Sequence, residues 1–408
     1  MRNVVAALDV GTSKVCAFIA EAGDDSHALL GYGCEPCTGL RKGVVVNIEA
    51  TVEAIRKALE EAQKSAGVRV GSVVVGVAGP HIRGLNSHGI VAVRGGEVNL
   101  RDRERVIDAA QAVAIPVDRQ VLHVLPQQFA VDDQEGVRDP VGMTGVRLEA
   151  RIHIVTAAQS YSQNLVKCCE RAGATPSEIV FEPLAGAEAA LFAEERELGV
   201  ALVDIGAGTT DIIVFHGGAV MHTAVLPIGG NHLTNDVAAG LRTPVTDAEK
   251  IKKEHGVATN LVVGRDDMVK VPGVGGRPQR MIQRRILGEI MGPRMEEIFA
   301  LVQRELARSE VADNLASGVV LVGGSALLEG TQELAERIFN MPVRRGLPNE
   351  KRLTGMPEDL IKPMYTTAAG LVMYGAGSAS GAGLGSLRNV RLLGRWRNVV
   401  SEWMREFF

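Results

Sequence analysis

Two short segments of this chain repeat one pattern, and a duplication of this kind constrains the fold more than any other feature. Residues 7–14 are ALDVGTSK and residues 202–211 are LVDIGAGTTD. Each starts with apolar residues, continues with Asp, an aliphatic residue and Gly, and ends in hydroxyl residues. β-Rich runs follow at 15–20 and 212–215, so each copy is predicted to form a strand, a tight glycine turn and a second strand.

A glycine hairpin exposes backbone N–H groups that no side chain blocks, and successive amides of this kind can cradle phosphate. Two such hairpins are predicted to hold phosphates from opposite sides. Asp9 and Asp204 would be repelled by phosphate unless a divalent cation lay between, so the pattern predicts Mg²⁺ bound through water. A single copy is more typical of an ordinary turn. The matched pair favours a nucleotide site.

Two further segments favour a nucleotide. Residues 322–326 are VGGSA, so an apolar run is followed by two glycines. At such a position the backbone can approach a ligand closely. Residues 248–252 place Glu249 and Lys252 about one helical turn apart, able to bracket a ribose and a purine. Alone, that second segment would more often be a solvated helix face. No Walker A motif is present, which excludes the P-loop class.

Composition narrows the classes of function. The 408 residues suffice for two or more domains, and the formal net charge of −4 argues against a nucleic-acid partner. Five cysteines, including the adjacent Cys168 and Cys169, favour reduced thiols in a cytosolic body. Cys34 and Cys37 form a C-x-x-C without a second ligand pair, so small loop residues are favoured over a zinc site.

Periodicity predicts the remaining elements. Helices are predicted at 47–65, 248–255, 281–308, 331–339 and 366–374, buried strands at 72–77 and 318–322, and a mixed block at 82–157. An uncharged stretch at 363–387 is long enough to suggest a membrane span, but its second half is mostly Gly, Ser and Ala. It is interpreted as a helix followed by a flexible linker.

The ordered motifs LDVGTSK, LVDIGAGTTD, AEKIK, VLVGGSA and TTAAGL resemble those of the actin, sugar-kinase and DnaK-chaperone superfamily. The segments VLHVLPQQF, QEG, DPVG, GGRP and EIMGPR further resemble the FtsA family of bacterial cell-division proteins. The similarity covers essentially the whole chain.

This resemblance implies an α/β, actin-like duplicated fold, with two lobes around a nucleotide cleft and an FtsA-type subdomain, 1C, in the first lobe. The implied divisions are 1–81 and 158–198 for subdomain 1A, 82–157 for 1C, 199–228 and 312–374 for 2A, 229–311 for 2B, 375–388 for a Gly/Ser-rich linker, and 389–408 for a membrane-targeting amphipathic helix.

Carried onto matching positions, the family motifs imply a site for ATP. The implied contacts are Asp9, Gly11, Thr12, Ser13, Lys14, Gly206, Gly208, Thr209, Asp211, Gly229, Gly230, Glu249, Lys252, Gly323, Gly324 and Ser325. Asp9 and Asp204 would hold Mg²⁺ through water. Asp204 and Glu182 lie where active relatives orient the attacking water, but FtsA-family members vary at the Glu182 position. Hydrolysis therefore stays open.

The resemblance also implies a role. FtsA-like proteins polymerise with ATP, tie filaments of the tubulin-like FtsZ (the Z ring) to the inner face of the cytoplasmic membrane at the septum, and help recruit later division proteins through 1C. The C-terminal peptide of FtsZ is expected on 2B at Glu289, Arg294 and Glu297, with a structural salt bridge as the alternative role of Arg294. The protein would then be an adaptor rather than an enzyme.

Two other functions fit the same fold. A small-molecule kinase would need a catalytic Asp facing a substrate pocket, and the sequence identifies none. A pilus-assembly relative is disfavoured by the C-terminal linker and helix.

The C-terminal segment has helical apolar periodicity. Its apolar positions are Leu392, Leu393, Trp396, Val399, Val400, Trp403, Met404 and Phe407. From residue 388 onward, five arginines, including Arg395 and Arg397, accompany two glutamates. Packing on the protein's own core is the alternative. A linker, interfacial Trp and Arg attraction to anionic headgroups, worth about 1 kcal/mol each, favour a helix lying in the membrane interface, because five arginines prevent it from spanning.

We expect truncation after Ser386 to abolish binding to anionic vesicles without lowering the melting temperature of the body. Trp403→Glu should weaken binding more than Arg405→Ala, because it places a charge in the apolar face. Co-sedimentation with vesicles at low and high salt measures this, and added salt should weaken binding without abolishing it. Vesicle binding that survives truncation, or a body destabilised by several degrees, would assign the helix to the core.

Overall fold

A computed structural model describes residues 3–275 and 277–380 of the chain. The strands are β1 Val4–Val10, β2 Lys14–Glu21, β3 His27–Pro36, β4 Leu40–Arg41, β5 Val44–Val45, β6 Ser72–Val77, β7 Ile82–Ala92, β8 Arg119–Val131, β9 Gln134–Val137, β10 Arg147–Ala158, β11 Thr175–Phe181, β12 Val200–Ile205, β13 Thr210–His216, β14 Ala219–Leu226, β15 Met268–Val271, β16 Arg280–Gln283, β17 Val319–Val322, β18 Val343–Arg345 and β19 Leu353–Thr354. The helices are α1 Ile48–Ala66, α2 Leu100–Gln111, α3 Gln159–Arg171, α4 Glu182–Ala190, α5 Ala193–Leu198, α6 Gly230–Leu241, α7 Val245–His255, α8 Arg285–Leu306, α9 Thr331–Phe339 and α10 Thr366–Ser380.

Two sheets with the same strand order form the centres of two lobes. The first runs β11-β6-β1-β2-β3, with β19 added beside β3, and the second runs β18-β17-β12-β13-β14. In each sheet three consecutive strands are antiparallel, and the first of them pairs in parallel with a later strand. The predicted duplication therefore extends from two hairpins to two whole sheets.

The two hairpin turns close with the same hydrogen bond. The Gly11 N–H donates to the Lys14 carbonyl, and the Gly206 N–H donates to the Thr209 carbonyl, each at 3.0 Å. Both turns connect strands whose side chains are almost entirely buried. The strand, glycine turn and strand predicted for each copy of the repeat are thus present.

An insert between β6 and α3 forms a second small sheet, in the order β7-β10-β8-β9, with α2 packed on one face. Its helix begins in a capping box, because the Asn99 side chain accepts from the Asp102 N–H at 3.2 Å and the Asp102 side chain accepts from the Asn99 N–H at 3.3 Å. The insert also contacts the second lobe, where His153 Nε2 lies 2.9 Å from Thr223 Oγ1 on β14.

A second insertion, between β14 and β17, contains α6, α7, the hairpin β15-β16 and α8. The predicted helix at 281–308 is wrong at its start, because Met281 lies in β16 and α8 begins at Arg285. Period-2 pairing of β15 with β16 overrides the helical pattern there. Helix α8 also contains Pro293 within its length.

Helix α10 packs against α4, and α4 is the helix that connects the first lobe to the second along the chain. Gly370 allows this close approach, since a Cβ there would overlap the Ala185 carbonyl, and a Cβ at Gly375 would lie 2.8 Å from Val74 Cγ2. The prediction of a linker from residue 375 is wrong for residues 375–380, which continue α10 to Ser380. Gly370 and Gly375 serve helix packing rather than flexibility.

The predicted membrane-targeting helix at 389–408 and the remainder of the predicted linker lie outside the described residues. Within residues 3–275 and 277–380, no helix is long and apolar enough to cross a membrane. The uncharged stretch from 363 is, as far as Ser380, a short 3-10 turn followed by α10.

Candidate functional site

The two glycine hairpins face each other across the gap between the lobes. A Cβ at Gly208 would lie 2.6 Å from Thr12 Oγ1 and 2.8 Å from Lys42 Cα, so only glycine fits at this approach. Thr12 Oγ1 accepts a hydrogen bond from the Gly43 N–H at 2.9 Å, which fixes the tip of the first hairpin. Ser13, beside it, is exposed.

Four carboxyl groups converge beside the hairpins, in an arrangement that penalises negative charge. Burial, and next the charge of Asp9, raises the pKa of Asp204 to about 6. Burial, and next Asp204, raises the pKa of Asp211 to about 8, although the Thr209 hydroxyl, 2.7 Å from Asp211 Oδ2, opposes the shift. Burial also raises the pKa of Asp9 and, together with the other three carboxylates, that of Glu182. The site therefore favours bound positive charge.

Lys14 supplies positive charge to this cluster from the first hairpin. Its ammonium donates to the Met364 carbonyl at 2.8 Å and lies 4.0 Å from the centre of the Tyr365 ring. It also lies near enough to Asp9 that the lysine lowers, and burial raises, the pKa of that carboxyl. Lys14, predicted to contact ATP, is therefore tied in this structure to the 363–365 turn.

Asp204 is held from two sides. Thr367 Oγ1 donates to its Oδ2 at 3.2 Å, and a Cβ at Gly323 would overlap its Oδ1. Gly323 has a φ of 85°, in the left-handed region that favours glycine. Gly324, in contrast, faces open space, since a Cβ there would meet nothing within 4 Å. Of the two predicted glycines, Gly323 leaves room for the Asp204 side chain, and Gly324 is exposed.

A second polar cluster lies where α6, α7 and the turn after β17 meet. Lys252 Nζ lies 2.7 Å from Glu249 Oε2 and donates to the Gly230 carbonyl at 3.1 Å and to Thr234 Oγ1 at 2.8 Å. Thr234 in turn donates to Glu249. A Cβ at Gly230 would lie 2.8 Å from Ser325 Oγ. The residues predicted to contact the adenosine lie close together, but Glu249 and Lys252 form an ion pair with each other.

Charge in this second cluster is balanced. Burial opposes ionisation of Glu249, but Lys252, Thr234 and Lys253 together outweigh it and hold the pKa of Glu249 below its usual value. Burial lowers the pKa of Lys252 despite the attraction of Glu249. The cluster therefore has little unsatisfied charge, unlike the four carboxyl groups at the other end of the cleft.

Helix α6 begins directly on the second hairpin. The N–H groups of Gly230 and Asn231 donate to the carbonyls of Gly206 and Ala207 at 2.9 and 2.8 Å. A Cβ at Gly229 would lie 2.6 Å from the Gly206 carbonyl oxygen. The predicted residues Gly229 and Gly230 therefore connect the second hairpin to the second polar cluster.

The donor set suits a hydrated cation better than a directly coordinated one. Asp211 Oδ1 is buried without a hydrogen-bond partner, and an orphaned carboxylate oxygen is an acceptor for a water in a cation's shell. Among residues 3–275 and 277–380, no group of three or more His, Cys, Asp and Glu side chains is arranged to hold a metal ion directly. The carboxyl groups thus fit Mg²⁺ held through water.

The three residues predicted to bind FtsZ lie along α8, and each has an ion-pair partner. Arg294 Nε lies 2.7 Å from Asp236 Oδ2, and its Nη1 contacts Glu297. Glu289 lies 3.7 Å from Arg285. Arg294 is partly buried, so the structural ion pair considered as its alternative role is present.

Sequence reasoning missed several residues of the site. Thr367 lies within the TTAAGL motif, yet nothing in its spacing indicates a bond to Asp204. Thr234 contacts Lys252 only because α6 and α7 pack together. Gly76 is a third residue that the sequence did not indicate. A Cβ there would lie 2.9 Å from Glu182 Cγ, so glycine leaves room for that side chain. These roles depend on tertiary packing, which no local pattern reports.

Comparisons with known proteins bear on the family of the chain. A family model described as "Cell division protein FtsA" matches residues 201–370, and one described as "SHS2 domain inserted in FTSA" matches residues 79–156. "Cell division protein FtsA" of Pseudomonas aeruginosa is 52% identical over 91% of this chain and 89% of its own length. That of Escherichia coli K12 is 39% identical over 100% of this chain and 99% of its own length.

Solved structures are similar in fold at low sequence identity. The PilM–PilN type IV pilus biogenesis complex contains a chain with a TM-score of 0.65 and 19% identity, covering 91% of this chain and 98% of that one. MreB5 of Spiroplasma citri bound to ADP has a TM-score of 0.58 and 15% identity, covering 95% and 99%. The predicted actin-like fold is confirmed, and the SHS2 match corresponds to the predicted 1C insert.

The raised pKa values predict how stability depends on pH. Asp204 and Asp211 hold their protons more tightly in the folded protein than in the unfolded chain. Unfolding therefore releases protons, and these two groups lower the free energy of unfolding of the nucleotide-free protein as pH rises from about 4 to about 8. Asp211→Asn should remove much of this fall in the free energy of unfolding. Urea unfolding at about pH 5 and about pH 8 measures it. Asp24→Asn, at an exposed position, should change nothing, and a parental pH dependence in Asp211→Asn would contradict the account.

Proposed function

The chain belongs to the FtsA family of bacterial cell-division proteins, and from that premise we propose that it is an ATP-binding, filament-forming adaptor between FtsZ and the membrane. In this proposal it polymerises, holds FtsZ filaments to the inner face of the cytoplasmic membrane at the septum, and helps recruit later division proteins through 1C. Its curated relatives are cell-division proteins by name.

The observation that supports ATP as the ligand is the pair of facing glycine hairpins, which lie beside a group of carboxyl groups. Amides at the tips of the two turns would donate to phosphate oxygens, and Gly324 leaves open space beside it. Mg²⁺ would supply the charge that lets phosphates and carboxylates occupy one cleft. Asp9, Asp204 and Asp211 would hold it through water. The MreB5 structures with ADP and AMPPNP support a nucleotide in a cleft of this fold.

We infer that nucleotide turnover is secondary to nucleotide binding. Burial and three neighbouring carboxylates raise the pKa of Glu182, proposed with Asp204 to orient an attacking water, well above its usual value. A protonated carboxyl cannot accept a proton from water. Bound Mg²⁺ would lower this barrier to ionisation, so weak ATPase activity remains compatible with the adaptor role.

The kinase and pilus-assembly alternatives are not favoured. Similarity to the PilM chain at 19% identity concerns the fold alone, whereas curated relatives at 52% and 39% identity are named as division proteins. A kinase would additionally need a substrate pocket with a catalytic Asp. The buried carboxyls of this cleft already surround the proposed phosphate and metal position.

FtsZ is proposed to bind α8 of the second lobe through its C-terminal peptide. Arg294, Glu289 and Glu297 supply mixed charge on one side of this helix, and Arg294 suits an acidic peptide. Its ion pair with Asp236 would compete with the peptide for the guanidinium. Anionic phospholipid is the proposed partner of residues 389–408.

Gly324→Val should lower ATP affinity by about tenfold or more, equal to about 1.4 kcal/mol, because the new side chain enters the open space beside the cleft. The melting temperature of the nucleotide-free protein should not change, since a Cβ at Gly324 meets no neighbour. Equilibrium titration with a fluorescent ATP analogue measures the effect. Gly71→Val, at an exposed glycine without close neighbours, is the matched control. Parental affinity in a folded Gly324→Val protein would refute this placement of the nucleotide.

Arg294→Glu should weaken binding of a labelled FtsZ C-terminal peptide, measured by fluorescence anisotropy, while ATP affinity stays unchanged. Asp236→Asn separates binding from structure, because it removes the ion pair and leaves the arginine. If Arg294 binds the peptide, Asp236→Asn should bind at least as well as the parent. Equal loss in both variants would assign Arg294 a structural role, and loss of ATP binding would indicate misfolding.

A further inference from the structure

The structure brings two of the five free cysteines opposite each other in the first sheet. Cys16 in β2 is the register partner of Cys34 in β3. The Cys34 N–H donates to Glu61 Oε2 at 3.2 Å, and the Tyr32 N–H, two residues earlier, donates to Ser65 Oγ at 3.0 Å. These amides therefore point away from β2, which makes Cys16 and Cys34 a non-hydrogen-bonded pair.

Geometry at such a pair suits a disulfide. In non-hydrogen-bonded antiparallel pairs the Cα atoms are about 4.5 Å apart and the side chains approach closely. Disulfides span Cα separations of about 4.4 to 6.8 Å. A bond between Cys16 and Cys34 therefore needs little backbone movement.

The two sulfurs differ in their charged neighbours and in their exposure to solvent. Lys14 Nζ lies 3.2 Å from Cys16 Sγ, so positive charge stands where a thiolate would form, and the thiolate is the nucleophile of thiol oxidation. Cys16 is buried, whereas Cys34 is only partly buried and offers a small reagent a route to the pair. A reactive thiol beside a resolving thiol is the arrangement of redox-sensitive sites.

We propose that Cys16 and Cys34 form an oxidation site that a peroxide converts into a reversible disulfide. The Cys16 thiolate attacks one peroxide oxygen, forming a sulfenic acid and releasing hydroxide. Cys34 sulfur then displaces the sulfenic oxygen, forming the S–S bond, and its proton leaves with that oxygen as water. Two thiols and one hydrogen peroxide thus yield one disulfide and two waters, with sulfur oxidised and peroxide reduced.

The other cysteines do not offer this geometry. Cys34 and Cys37 are three residues apart, and the Cys37 N–H pairs with the Ser13 carbonyl at 3.0 Å, continuing the strand pairing, so their side chains point to opposite faces of the sheet. Cys168 and Cys169 are buried in α3. The C-x-x-C pattern is therefore two unrelated thiols, and the reactive pair joins Cys34 to a residue far from it in sequence.

This site lies next to the nucleotide cleft but is not used by the proposed function. Asp9 on β1 is the register partner of Cys16, so Asp9, Cys16 and Cys34 form one row across three strands. A disulfide would also remove the Cys16 thiol as a partner of Lys14.

The test is peptide mapping of the native full-length chain after limited hydrogen peroxide treatment, blocking of free thiols and digestion without reductant. Trypsin leaves Cys16, Cys34 and Cys37 in one peptide, because no Lys or Arg lies between Lys14 and Arg41. A protease that cleaves after glutamate separates Cys16 from the other two at Glu21. The expected product is a disulfide-linked peptide pair that dithiothreitol reduces to two separate peptides.

Variants assign the bond. The linked pair should persist in Cys37→Ser and in the control Cys168→Ser, and disappear in Cys16→Ser. Cys34→Ser, at the less buried partner, should also lose it, which keeps the test valid if Cys16→Ser fails to fold. Absence of a Cys16 link in the native parent, or a link that survives in Cys34→Ser, would overturn the proposal.

Discussion

The repulsion among four carboxyl groups, two of them buried and two partly buried, is the interaction on which this structure depends. Asp9, Asp204, Asp211 and Glu182 are drawn from both lobes and meet where water is scarce, so their negative charges repel strongly. In the absence of a cation the cluster can relax by keeping protons, which is why its pKa values rise. A cation with a bound polyphosphate would reverse that preference and draw the lobes together.

Duplication is what brings such unfavourable groups to one place. In each sheet the last residue but one of a buried strand is Asp, the chain then turns through glycine, and the shared strand order presents the two turns to each other. Glycines at the closest approaches let backbone replace side chains, as at Gly208 against Thr12 and at Gly370 against Ala185. The same hydrophobic strands that stabilise each lobe therefore hold the carboxyls in position against their repulsion.

Sequence alone predicted the parts of this arrangement that are local. Both hairpins, the strand Ser72–Val77 and the helix Thr331–Phe339 follow from periodicity and glycine turns, and α1 departs from its prediction only at its ends. What the sequence could not show depends on contacts between distant segments. Lys14 is held by a carbonyl of residue 364, and Gly375 continues a helix because Val74 lies beside it. Such partners are set by tertiary packing, which periodicity does not encode.

The central claim is that both hairpins hold one nucleotide together, and amide hydrogen exchange tests it most directly. Exchange at residues 12–13 and 207–208 should slow together on adding ATP with Mg²⁺, because amides at the tips of both turns become bonded to phosphate. The effect should be smaller with ATP and a chelator, since the carboxyls would then repel the phosphates. Protection confined to one hairpin, or equal protection with and without Mg²⁺, would contradict a site shared by the two lobes.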